Sequence, residues 1–106
     1  MSKKINYLTR ENQVNKLIKD NKSSKRREYI LFTSLWDVVS CNLVKSLEDK
    51  EPRVPINVIN SFDTPHSFVI WGVEKVPTLV ILEPSGKRVI RTSHVTDIYK
   101  KLGVDS

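Results

Sequence analysis

A chain of 106 residues and 12.2 kDa holds a single domain, residues 1–106, with no room for two independent cores, and 39% apolar with 28% charged residues is a globular balance, neither disordered nor collagen-like. The longest uncharged apolar-rich stretch, Ser67 to Gly72, is far too short to span a bilayer, and one cysteine with two histidines supports neither an intramolecular disulfide nor the usual four-ligand structural zinc site. The basicity is local: residues 1–27 carry nine Lys/Arg against two acids, net +7, whereas residues 28–106 carry nine against ten, net −1.

Met1 to Asn6 begins with basic residues but continues into no apolar run or cleavage site, so a secretory signal is not expected and the default address is cytoplasmic. Lys4 to Leu8 alternates as a short strand does, and Thr9 offers a helix cap before Glu11. Val14, Leu17 and Ile18 form one apolar stripe of a surface helix ending near Asn21. Lys22 to Arg27 has four positive charges and no periodicity, the pattern of an exposed loop. Tyr29 to Thr33 is a continuous run of strand formers, as expected of a central strand covered on both faces.

Ser34-Leu35-Trp36-Asp37 has the form of a capping box opening a second helix, whose buried face is Val39, Leu43 and Leu47 and which stops at Glu51-Pro52. Val54 to Ile59 predicts a third strand, with Pro55 tolerable only near its start. Thr64-Pro65 predicts a short helix to Trp71, ended by Gly72. Thr78 to Leu82 is another buried strand, and Pro84 to Lys87 is a tight turn into the alternating strand Arg88 to Thr92. Val95, Ile98, Tyr99 and Leu102 complete a last helix before Gly103. The order is β-α-β-α-β-α-β-β-α, an α/β fold.

Leu8 to Asn12, Phe32 to Trp36 and above all Gly72-Val73-Glu74-Lys75-Val76-Pro77-Thr78-Leu79 resemble the corresponding segments of the thioredoxin family, and together they reach across residues 4–102. The resemblance implies a three-layer fold with a central mixed sheet, a cis peptide bond at Pro77, and a surface on which the backbone of Val76 pairs with an extended substrate strand. It also implies a Trp-Cys-x-x-Cys motif at a helix N-terminus, where the dipole and free N–H groups lower the first cysteine's pKa. Here the text is Trp36-Asp37-Val38-Val39-Ser40-Cys41. Alignment on Trp36 puts Asp37 and Ser40 at the two cysteine positions and Leu31 at the family's buried acid. Alignment through Leu43, Val44 and Leu47 puts Val38 and Cys41 there instead. Neither register restores a pair, which implies that dithiol chemistry has been lost.

Each candidate residue has a structural reading beside its functional one. Asp37 caps a helix by virtue of the dipole alone, and Cys41 reads as a small apolar residue packed in its helix. Trp36 beside a strand-pairing edge is a plausible interface anchor, whereas Trp71 packs in or beside the core. His94 with Asp97, and His66 with Ser67, contain no triad with an oriented base. Ser85-Gly86-Lys87 lacks the glycine-rich loop of a phosphate site.

The leading expectation is a protein partner bound through Trp36, Asp37, Val76 and Pro77, with no cofactor, metal or membrane involved. The alternatives are a one-cysteine thiol protein using Cys41, and a nucleic-acid factor using Lys22, Lys25, Arg26 and Arg27 together with Lys3-Lys4. Solubilisation is the simpler role for those basic residues.

Overall fold

The computed structural model describes residues 4–86 and 88–104. Lys3 of the N-terminal basic pair and Lys87 of the hairpin turn lie outside them. The elements are β1 (Ile5–Tyr7), α1 (Glu11–Lys22), β2 (Glu28–Thr33), α2 (Val38–Lys50), β3 (Ile56–Asn60), α3 (Pro65–Ile70), β4 (Thr78–Leu82), a 3-10 turn (Pro84–Gly86), β5 (Val89–Thr92) and α4 (Val95–Leu102).

One sheet of order β1-β3-β2-β4-β5 collects all the strands. β1, β3 and β2 are parallel, and β4 and β5 each run antiparallel to the strand before them in that order. The apolar run of β2 lies at its centre and is buried from Tyr29 to Thr33. Alternation splits its side chains between two cores. Tyr29 and Leu31 pack with Leu43 and Leu47 of α2 and Ile98 and Leu102 of α4. Ile30 and Phe32 pack with Val14 of α1 and, through the edge-to-face ring contact of Phe32, with Phe68 of α3. The result is a helix-sheet-helix sandwich in which Leu31 is fully buried.

Several element boundaries differ from the sequence expectations because their caps come from elsewhere. Thr9 does not cap α1: Arg10 holds that position, and the Gln13 side-chain oxygen reaches back to accept the N–H groups of Thr9 and Arg10 at 2.9 and 3.1 Å. Lys22 belongs to the last turn of α1, so the basic loop begins at Ser23. Ser34 does not cap α2: its hydroxyl accepts Trp36 N–H, and Asp37 is itself the cap, three residues later. The hydroxyl of Thr64 donates to the Asn60 carbonyl, leaving the start of α3 to Glu11, whose carboxylate accepts the N–H groups of His66 and Ser67 at 2.7 and 3.1 Å. β3 begins at Ile56, with Pro55 outside the ladder. β5 begins at Val89, one residue after its expected start, and Trp71 follows α3 as its C-terminal cap.

Candidate functional site at the open end of the sheet

The register Thr33↔Asn60 and Phe32↔Thr78 brings the ends of β2 and β3 and the start of β4 to one end of the sheet. Leu79↔Thr92 adds the exit of β5. Trp36, Asp37, Val76 and Pro77, predicted from separate segments, therefore share this end, and the loop carrying Phe62 joins them.

Side chains fasten the loops to one another. Thr33 Oγ1 donates to the Ile59 carbonyl at 2.8 Å, Ser61 N–H donates to the Thr33 carbonyl at 3.0 Å, and the hydroxyls of Ser61 and Ser34 are 3.3 Å apart. On the other flank the Thr78 hydroxyl donates to the Lys75 carbonyl at 2.5 Å and lies 2.8 Å from that of Ser93. Between these anchors the Val76-Pro77 peptide bond is cis. Pro77 is buried, and the N–H and C=O of Val76 make no hydrogen bond to another described residue.

The turn from β2 into α2 leaves large apolar groups in solvent. Trp36 is 87% exposed, Val38 72% and Leu35 62%, and Phe62 in the neighbouring loop is 73% exposed. Ser40, Leu43 and Leu47 turn the buried face of α2 toward the sheet, which leaves Val38 no place in the core. Asp37 accepts the Ser40 N–H through Oδ2 at 2.8 Å, and its other carboxylate oxygen has no partner among the described residues. A carboxylate thus occupies the positive end of the helix dipole. This start of α2 favours the register that aligns Trp36, with Asp37 at the helix cap and Ser40 buried one turn on. The Ser40 hydroxyl has no partner among the described residues.

Cys41 is not packed in its helix but exposed. The buried stripe of Ser40, Leu43 and Leu47 rotates position 41 off the core face by about 100°. The thiol donates to the carbonyls of Leu35 and Ser34 at 3.6 and 3.8 Å. It lines a cleft of about 380 Å³ with Val44, Lys45 and Glu48 of α2 and with Tyr7 and Val58. That cleft lies on the β3 side of β2, whereas Val76-Pro77 leads into β4 on the other side. At the cleft Tyr7 donates its hydroxyl to Glu48 Oε1, and partial burial, reinforced by that carboxylate, pushes the phenol's pKa well above its usual value.

The basic residues occupy the opposite end. Lys25, Arg26 and Arg27 fill the loop before β2, and Lys22 ends α1. Arg27 is paired with Glu83 at 3.1 Å, its pKa raised first by the Tyr29 hydroxyl and then by Glu83. The loop is tied to the 3-10 turn by Ser85 N–H donating to the Ser24 carbonyl at 2.9 Å, and by the Asn21 amide donating to the carbonyls of Arg26 and Glu83.

Sequence reasoning overlooked Phe62, and named Val38 only as an alternative first-cysteine position. Phe62 did leave a signal, as a lone aromatic in the polar run Asn60-Ser61-Phe62-Asp63.

No protein-family model and no curated protein matches this chain. Solved structures do. The chain is similar to thioredoxin from Fasciola hepatica, with 22% identity and a TM-score of 0.71 over 92% of this chain and 96% of that one. The thioredoxin from Trypanosoma brucei brucei gives 16% and 0.71 over 93% and 88%, and NaTrxh from Nicotiana alata gives 17% and 0.69 over 95% and 91%. The fold is thioredoxin-like, and the single cysteine leaves no Cys-x-x-Cys pair. Among the described residues no helix is long and apolar enough to cross a membrane.

Proposed function

We propose that this chain is a cytoplasmic protein-binding module that uses the surface of Trp36, Asp37, Val76 and Pro77 without dithiol–disulfide exchange. The observation that carries this reading is Trp36, 87% exposed beside a helix N-terminus that Asp37 already caps. Large aromatics left in solvent at a loop cluster are typical anchors of interfaces. The N–H and C=O of Val76, without a partner among the described residues, add the means to hold an extended segment by strand pairing, which requires no thiol. Exchange, by contrast, needs an attacking thiolate and a resolving thiol, and this chain has one cysteine.

The exposure of Cys41 favours a second reading, in which this thiol forms a mixed disulfide with glutathione or a protein. Against it, the chain has one cysteine, so any mixed disulfide formed at Cys41 has no second thiol in the chain to resolve it.

A disulfide-reduction assay driven by dithiothreitol separates the readings. The protein-binding reading expects turnover at the uncatalysed rate for both wild type and Cys41→Ser. Turnover above background that disappears in Cys41→Ser supports the thiol reading instead.

A further inference from the structure

The apolar end of the sheet lacks the positive excess carried by residues 1–27. Its loops, residues 8–10, 34–37, 61–64, 71–77 and 93–94, carry Asp37, Asp63 and Glu74 against Arg10 and Lys75, an acidic excess in a chain of net +6. Arg10 caps the start of α1, next to Glu11, which holds the start of α3. Asp63 is engaged by the Asn60 amide at 2.8 Å. Asp37 keeps one carboxylate oxygen without a partner among the described residues, and the indole next to it in sequence is 87% exposed.

We infer that the segment bound at this end is an extended stretch of another protein in which an arginine or lysine, flanked by apolar residues, meets Trp36 and Asp37. The inference rests on the protein-binding reading above and adds the partner's chemistry to it. An exposed tryptophan face attracts a cation through the ring quadrupole. A carboxylate beside it fixes that cation by charge, and an arginine can do both at once, stacking its plane and donating to the oxygen. Leu35, Val38 and Phe62, all exposed at this end, supply the apolar contacts. The backbone of Val76 pairs with the partner's main chain, so alternate side chains of the segment face this surface. An acidic segment would meet like charge at Asp37 and leave the indole face unused.

The probe is a random nonapeptide display library panned on immobilised wild type, Asp37→Asn, and the Trp36→Ala, Val76→Asp double variant. Asparagine is as good a helix cap as aspartate, so Asp37→Asn removes the charge and keeps the fold. Wild type is expected to enrich peptides with Arg or Lys between apolar residues. Asp37→Asn should keep the apolar preference, lose the basic one, and bind the selected peptides about tenfold more weakly. The double variant should enrich nothing. Enrichment by wild type without a basic position, or a basic position unchanged in Asp37→Asn, overturns the charge inference and leaves the protein-binding reading standing. Enrichment that survives in the double variant, or none with wild type, contradicts both.

Discussion

The two ends of the central sheet solve their surface problems in opposite ways. At the basic end several polar groups are paired within the molecule: Arg27 pairs with Glu83, Asn21 bridges two loops, and Ser24 accepts from Ser85. At the other end four large apolar side chains stand in water, and the backbone of Val76 is unpaired among the described residues. Both ends are anchored to the same buried strand, β2, so the contrast does not arise from a difference in support. Charge density on a sequence map marks one end, and the exposed apolar groups mark the other. The unmet hydrophobic and hydrogen-bonding demand lies where the net charge is small.

Within the apolar end, the strongest structural dependence falls on Glu11. Its carboxylate accepts two backbone N–H groups of α3 and the Ser67 hydroxyl at 2.5 Å, so Glu11→Ala leaves those donors without their acceptor. Loss of such a cap costs about 1–2 kcal/mol. Urea denaturation should show a lower midpoint with an unchanged slope, whereas a midpoint equal to wild type would mean that α3 is held without Glu11.

A smaller effect is expected at the cleft. The Tyr7 phenol is raised above its ordinary value of 10.0 by burial and by Glu48, so the folded state retains this proton where the unfolded chain loses it. Stability from this group is complete below the unfolded pKa and falls as pH rises beyond it, because the unfolded state then binds fewer protons. The thermal midpoint of wild type should fall more steeply above about pH 10 than that of Tyr7→Phe. Parallel curves would show that the Tyr7–Glu48 bond makes no contribution in solution.

The smallest effect belongs to the basic end. Replacing Lys22, Lys25, Arg26 and Arg27 with glutamine leaves the core untouched and should weaken retention on duplex DNA only slightly, since Arg27 is already paired. A log–log salt slope near −3.6, as four phosphate contacts imply, lost in the variant, would promote this end to a nucleic-acid surface.

What the sequence made legible followed from local pattern. The runs Tyr29 to Thr33 and Thr78 to Leu82 announced buried strands, and the Val95, Ile98, Leu102 stripe announced α4. What it hid was non-local. Glu11 caps a helix 55 residues away, and Arg27 meets Glu83 at a separation of 56, so neither partner is visible in a window of neighbours. The exposure of Cys41 was misread because Ser40, a small polar residue, holds the core position that apolar periodicity alone would not assign to it. Trp36, Asp37, Val76 and Pro77 were found individually through the resemblance. That they share one end with Phe62 followed only from the strand register.

The most direct test compares the affinity of a library-selected peptide for wild type, Cys41→Ser, and the Trp36→Ala, Val76→Asp double variant under reducing conditions, by fluorescence anisotropy. Trp36 is exposed and Val76 half-buried in a loop, so circular dichroism should show the double variant folded. A binding surface independent of thiol chemistry requires Cys41→Ser to bind as wild type does and the double variant to lose binding. Binding that vanishes in Cys41→Ser and persists in the double variant would contradict it.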